Sequence, residues 1–188
     1  MSTKTEKAAL RQYLLKKRDG ISFELKKILS QKIHQNLKKN EFFNNAKKIA
    51  CYYSIGSEVM TTELINDIME TKTVSLPKIV NDKLVFKKIT NLEKLEKGPY
   101  EIMEPRDDYE TVNDHDIIIV PTIGITRLGD RLGYGFGYYD RYLSGMNTKT
   151  ISLTFAQQII KSIPNTENDV KIDWIVTEEE SFGTNIKF

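Results

Sequence analysis

The stretch Asp116-Ile117-Ile118-Ile119-Val120-Pro121 leads, after a short connection, into Arg131-Leu132-Gly133-Tyr134-Gly135-Phe136-Gly137-Tyr138-Tyr139-Asp140. Four branched apolar residues without alternation mark a strand covered on both faces, as in a parallel sheet. A helix is expected from about Tyr138 to Leu143. Strand, glycine-rich turn and helix in that order point to an α/β fold.

The flanking sequence agrees. Residues 4–18 read as a helix stopped by Asp19-Gly20, with Gly20 suited to a left-handed position. Ser22 caps a second helix, in which Leu25, Ile28, Leu29, Ile33 and Leu37 recur at helical spacing. Residues 49–54 form an apolar run that suggests another covered strand. Thr61 or Thr62 opens a helix, Val74–Pro77 is a short strand ending at proline, and Leu84–Ile89 is a further strand. Residues 91–115, with Gly98-Pro99 and Glu104-Pro105, read as a long surface loop. Lys149–Phe155 and Trp174–Thr177 complete the strands. Strands alternating with helices predict a mainly parallel sheet flanked by helices in three Rossmann-like layers. The N-terminal helices pack on it, in a single domain over residues 1–188.

The glycine loop carries the chemistry. Glycine lets backbone N–H groups approach a ligand without Cβ interference, and a helix start adds free N–H groups and partial positive charge. Together they form an anion cradle suited to phosphate. Arg131 at the loop mouth adds a bidentate donor for phosphate oxygens. Asp140, in the first helical turn beside a triphosphate, suits Mg²⁺, which takes few carboxylates and several phosphate oxygens. The loop lacks the lysine of a P-loop, and G-x-G-x-G is not the dinucleotide fingerprint.

Composition bounds the rest. The 188 residues include 28 basic and 26 acidic side chains and one cysteine, Cys51, so no disulfide forms within the chain. Cys51 reads as a small buried strand residue, and His34 as part of a solvated helix face. No apolar run approaches ~18 residues, so no membrane span is expected. The polar N-terminus lacks a signal-peptide apolar region, and a cytoplasmic location follows. Residues 1–48 carry 13 basic and 4 acidic side chains, and the remainder 15 and 22. That asymmetry fits helices with lysine-rich outer faces, or an arm for nucleic acid. At about 100° per residue, however, Lys7 and Arg11 fall within the arc of Leu10, Leu14 and Leu15. Cations on that arc either snorkel to solvent or reach an anion bound at the glycine loop, over which the helix would then pack.

Arg131–Asp140 resembles the nucleotide motif of the 5-formyltetrahydrofolate cyclo-ligase (methenyltetrahydrofolate synthetase) family. Lys7-x-x-Leu10-Arg11 resembles its N-terminal nucleotide-contacting helix, and Tyr53-Ser54 with Glu58 and Thr61 its substrate strand and loop. Leu76-Pro77, Glu104-Pro105 and Val120-Pro121 match its X-Pro punctuation. Phe155, Gln158, Pro164, Asp169 and Asp173 match its C-terminal pattern. These elements keep family order from residue 7 to residue 177.

The resemblance implies ATP- and Mg²⁺-dependent closure of 5-formyltetrahydrofolate to 5,10-methenyltetrahydrofolate, with release of ADP and phosphate. Phosphorylation turns the formyl oxygen into a leaving group, and the neighbouring folate nitrogen then attacks the activated carbon. Such a site positions reactants and neutralises charge, with no nucleophilic side chain. The resemblance assigns catalytic roles to Arg131, Tyr138 and Asp140. It gives ATP contacts to Lys7, Arg11, Arg131, Leu132, Gly133, Tyr134, Gly135, Phe136, Gly137, Tyr138 and Tyr139. Folate falls to Tyr53, Glu58, Tyr134 and Tyr138, and Mg²⁺ to Asp140 and Asp169. Partners would be these small molecules, without nucleic acid or membrane, on a monomer or weak homodimer. Some family members carry lysine where this chain has Phe136, which moves charge neutralisation onto Arg131, Lys7, Arg11 and Mg²⁺. A sugar-phosphate isomerase, a CoA-transferase-like enzyme and a nucleotide- or nucleic-acid-binding module are the alternative readings.

Overall fold

The run Ile117–Val120 is a strand with all four side chains buried. It sits mid-sheet because its two faces meet different layers. Ile117 and Ile119 join one apolar cluster, Ile118 and Val120 another. The computed structural model describes residues 3–98 and 102–184; Pro99 of the expected loop lies outside them.

In chain order the strands are β1 (Lys48–Ala50), β2 (Thr73–Val80), β3 (Lys83–Ile89), β4 (Glu96–Lys97), β5 (Met103–Glu104), β6 (Ile117–Val120), β7 (Gly124–Thr126), β8 (Arg131–Leu132), β9 (Lys149–Leu153), β10 (Ile159–Ile160), β11 (Trp174–Val176) and β12 (Ser181–Gly183). The helices are α1 (Thr3–Asp19), α2 (Phe23–Leu37), α3 (Glu41–Asn45), α4 (Thr62–Met69) and α5 (Tyr138–Leu143). The main sheet has seven strands in the order β12-β11-β9-β6-β1-β2-β3. Its five inner strands run parallel, and β12 and β3 are antiparallel edges. The three-layer α/β expectation therefore holds. From β1 the chain moves outward to β2, then returns to the other side of β1 at β6. This reversal makes the carboxyl ends of β1 and β6 the place where such sheets open a ligand crevice.

The layers follow from side-chain alternation along the strands. Ile33 and Leu37 of α2, Phe43 of α3 and Leu64, Ile65 and Ile68 of α4 cover one face. Tyr138, Tyr139, Tyr142 and Leu143 of α5 cover the other. A separate three-stranded sheet, β10-β7-β8, carries the glycine loop and receives α1 through Leu14, Ile123, Leu132 and Ile163. Leu14 is 1% exposed, and a Cβ added at Gly124 would lie 2.4 Å from its Cδ1. That close approach seats α1 on β7.

Several expectations change. Gly20 is not among the left-handed residues; the turn closes by the Ile21 N–H donating to the Arg18 carbonyl. Leu25 and Ile28 are exposed, so only the later part of the α2 stripe reaches the sheet. His34 is buried, not solvated, with Nε2 2.8 Å from the Met60 carbonyl. Pro77 lies inside β2 rather than at its end. Beyond Ser75 that strand pairs only with β3, so proline's missing donor costs no ladder bond on the open side. Asn81 and Asp82, both at positive φ, turn β2 into β3. The segment before β6 contains the β4–β5 pair, a 3-10 turn at Leu92–Lys94 and the buried His115. His115 stays neutral: burial lowers its pKa to about 4, and its Nε2 lies 2.7 Å from Ser75 Oγ. No helix among the described residues is long and apolar enough to cross a membrane.

Leu14→Ala removes the side chain that seats α1 on β7. A loss of about 2–5 kcal/mol in unfolding free energy is expected from the cavity alone, read from urea denaturation of both proteins.

Candidate functional site

Two loops leave the carboxyl ends of the neighbouring strands β1 and β6. The first runs from Cys51 to Thr61. Thr61 Oγ1 donates to the Tyr52 carbonyl at 2.7 Å and accepts from the Ser54 N–H, while Ser54 Oγ accepts from the Thr61 N–H. These bonds tie the loop to the start of α4. The Ile55 N–H donates to Glu58 Oε2 at 2.9 Å, turning the carboxylate inward, and Glu58 is 4% exposed. Tyr53 is half-buried and packs against the α2–α4 cluster. Cys51 is buried as expected, and burial pushes its thiol up to about 12, which leaves it inert.

The chain leaving β6 passes through β7 and β8 into the glycine stretch, which meets the first loop directly. The Tyr134 hydroxyl donates to Glu58 Oε1 at 2.7 Å. Burial raises the Glu58 carboxyl above the ordinary glutamate value, opposed by the Ile55 N–H, the Tyr134 hydroxyl and the charge of Arg18.

The bare faces of the three alternating glycines are each met by a guanidinium. An added Cβ would lie 2.5 Å from Arg131 Nη1 at Gly133, 3.1 Å from Arg11 Nη2 at Gly135 and 3.0 Å from Arg141 Nη1 at Gly137. Gly135 and Gly137 have φ of 102° and 69°, the region glycine enters without strain. Side chains there would therefore be strained and would crowd the arginines. Arg11 and Arg141 beside the open loop, with Arg131 beneath it, make a cradle for a polyanion.

The expected site residues divide by place. Arg11 Nε donates to the Gly133 carbonyl at 2.7 Å, so α1 does cover the loop. Lys7 does not snorkel either: its Nζ lies 2.5 Å from Asp169 Oδ2. Burial would raise the Asp169 carboxyl, but the bonds from Lys7 and Thr166 outweigh it and hold it below the ordinary aspartate value. Arg131 is not at the loop mouth. Its side chain is 5% exposed, donating to the Pro121 carbonyl at 3.1 Å and to Asp140 Oδ2 at 3.0 Å. Its buried Nε has no hydrogen-bond partner. Asp140 Oδ1 also accepts from the Val170 N–H at 3.3 Å.

Leu132 is buried in the α1 cluster and offers only its backbone, its carbonyl accepting from the Ile123 N–H. Tyr139 turns into the core toward Phe86, with its hydroxyl buried and unpartnered, so its ring is withheld from the cradle. Tyr138 stays at the rim, donating to Asp82 Oδ1 at 2.9 Å and stacking on the exposed Phe136 at 6.0 Å. Sequence reasoning passed over Arg141, whose Nη1 donates to the Phe136 carbonyl, and the buried Arg18, whose Nη2 donates to the Tyr134 hydroxyl at 3.0 Å.

A model of the 5-formyltetrahydrofolate cyclo-ligase family matches residues 3–178. The chain belongs to that family. It is an enzyme of the ligase class to which those proteins belong. A mouse 5-formyltetrahydrofolate cyclo-ligase is 28% identical, with 95% of this chain and 97% of that protein aligned. The solution structure of Aquifex aeolicus 5,10-methenyltetrahydrofolate synthetase superposes with a TM-score of 0.87 at 32% identity, covering 97% of this chain and 94% of that one. A Mycoplasma pneumoniae 5,10-methenyltetrahydrofolate synthetase gives 0.75 at 26% identity, covering 92% and 99%. Likeness over the whole chain matches the order of motifs found from residue 7 to residue 177.

Within this family member, the Lys7–Asp169 pair links α1 to the segment after β10. Lys7→Ala and Asp169→Asn should each raise the KM for ATP. The double variant should lose less than the sum of the two singles, because the shared contact is lost in all three. Additive losses in steady-state kinetics would show that the two residues act separately.

Proposed function

We propose that this chain closes 5-formyltetrahydrofolate to 5,10-methenyltetrahydrofolate, consuming ATP and releasing ADP and phosphate. The observation that carries the reading is the hydrogen bond from Tyr134 to Glu58. It joins an anion cradle to a buried carboxylate, so a polyphosphate and a hydrogen-bond-donating heterocycle would lie side by side. Family membership supplies the identity of the two ligands.

The roles follow from the contacts. Glu58, as a carboxylate, accepts hydrogen bonds from N–H groups of the reduced pterin. Tyr134 spans both ligands, with its backbone in the cradle and its hydroxyl on Glu58. Tyr53 and Tyr138 border the folate side. Arg11 and Lys7 reach the phosphates from α1, and the backbone of Gly133, Gly135 and Gly137 admits them closely. Phe136 brings no charge to the loop, and Arg141 lies against the same turn. Arg131 acts from beneath, holding Asp140 and the end of β6 in place.

For Mg²⁺, the donor set fits a cation that keeps phosphate and water ligands. Among the described residues no group of three or more histidine, cysteine or acidic side chains converges. Magnesium beside a nucleotide needs only one or two carboxylates. Asp140 and Asp169 would hold it, each already oriented by its own cation. When bound it supplies charge neutralisation at the transferring phosphoryl group. A cytoplasmic location and a monomeric or weakly dimeric state complete the proposal.

Mixing the protein with Mg-ATP and 5-formyltetrahydrofolate, and following methenyl absorbance, tests the reading. Turnover requiring both ATP and Mg²⁺ is expected. Turnover without ATP, or none from folded protein, would overturn it. In the same assay Arg11→Ala should raise the KM for ATP by about tenfold or more, as loss of a charge-assisted phosphate contact requires. The KM for the folate should stay within about twofold. An unchanged KM for ATP would show that Arg11 serves only to bind the Gly133 carbonyl.

A further inference from the structure

Arg18 is the last cation of α1 and is 3% exposed. A charge so deep is costly unless every donor finds an acceptor. Here each nitrogen of the guanidinium does, and the three acceptors belong to three different segments. Nε donates to Ser57 Oγ at 2.9 Å, on the loop after β1. Nη1 donates to the Thr122 carbonyl at 3.3 Å, just past β6. Nη2 donates to the Tyr134 hydroxyl at 3.0 Å, on the glycine loop. Ser57 is held in turn by Asp19. The phenol therefore accepts from Arg18 and spends its only proton on Glu58.

We infer that Arg18 is a positioning residue for the folate site. It orients the Tyr134 hydroxyl toward Glu58 and keeps that buried carboxyl ionised, able to accept hydrogen bonds from the pterin. The inference deepens the proposed function and rests on it. Without Arg18 the phenol oxygen loses the donor that fixes the ring's hydroxyl in place, and the carboxyl loses the charge that favours its ionised form. Burial is then opposed only by the Ile55 N–H and the phenol, and the carboxyl gains its proton at a higher pH. Glu58 faces few other charges. Tyr134 comes from the glycine loop, Arg18 from α1, Tyr52 and Cys51 from the chain continuing β1, and Tyr139 from α5. Burial raises Tyr52, Cys51, Tyr134 and Tyr139 well above neutrality, so all four stay uncharged near pH 7. Among these groups Arg18 is the cation that lowers the Glu58 carboxyl.

The test is the pH profile of kcat/KM for 5-formyltetrahydrofolate at saturating Mg-ATP, in wild type, Arg18→Lys and Arg18→Gln. The acid limb should move up by about one pH unit in Arg18→Gln and stay near the wild-type position in Arg18→Lys, which keeps the charge. The KM for ATP should change far less than the KM for folate. An Arg18 that only braced the fold would lower the melting temperature and leave the limb in place, which would overturn the inference. If Arg18→Gln fails to fold, Arg18→Met removes the charge while keeping an unbranched stem and leaving no buried amide, and its limb should move in the same direction. Carboxyl-carbon NMR of ligand-free protein, with the Glu58 resonance assigned through Glu58→Gln, reads the same titration without substrate. Equal Glu58 midpoints in wild type and Arg18→Gln overturn the inference outright. A shifted midpoint in a protein that never turns over folate locates the failure in the proposed function, and the folate-positioning role falls with it.

Discussion

The parallel pairing of β1 with β6, Ile49 beside Ile117 and Ala50 beside Ile118, is the constraint on which the rest is arranged. These strands are distant in sequence, and the order of the sheet reverses between them. Their carboxyl ends cannot be bridged by a short connection, so each releases a loop into the same space. One loop carries Glu58, and the other leads to Tyr134. The bond between them also depends on β7 and β8, which carry the chain from β6 to Tyr134, and on the hydrogen bonds that shape the Glu58 loop. Ligand binding at such a reversal is general to open α/β sheets. Here the reversal is closed at one point by a phenol and a carboxylate.

Three cations of the basic N-terminal quarter serve the same crevice. Lys7 and Arg11 lie one turn apart on α1, Arg18 lies two turns further on, and each points into the protein. Their partners are a carboxylate, a backbone carbonyl and a three-point set of oxygens. Those three turn inward, whereas Lys4, Lys16, Lys17, Lys27, Lys32, Lys38 and Lys39 stay exposed, as helices with lysine-rich outer faces require. Leu14, between Arg11 and Arg18, seats the helix on β7 and thereby fixes where all three cations fall. Packing energy in an apolar contact is what makes the electrostatics specific.

Cations also explain the alternation of glycines. A side chain at 133, 135 or 137 would compete with a guanidinium for the same space. The loop keeps three arginines close together although like charges repel. That arrangement is stable with carboxylates such as Asp140 nearby and becomes more so when an anion enters. Arg131 shows the limit of the idea: it is buried under the loop and spends its bonds on Asp140 and the Pro121 carbonyl. Its contribution is to shape the cradle, not to line it.

Local chemistry was legible in the sequence by itself. The unalternating run Ile117–Val120, the glycines of the loop and the family motifs pointed to the α/β class and to the glycine turn that meets the β1 loop. Helical periodicity also placed Lys7 and Arg11 on the inward arc, because that angle is a property of the helix alone. What depended on distant segments was not legible. Pro77 sits inside a strand because that strand has one open side, a fact of sheet order and not of the dipeptide. His34 is buried because the chain near Met60 folds over it. The small sheet β10-β7-β8 is built from strands of two or three residues, too short to show a period. Arg18 looks like one more cation at a helix end, where the dipole alone would favour it. Only tertiary structure reveals that Ser57, Thr122 and Tyr134 converge on its guanidinium, since they lie 39, 104 and 116 residues away. Sequence specifies what each short segment prefers to be; which segments meet is decided by burying both faces of one sheet at once.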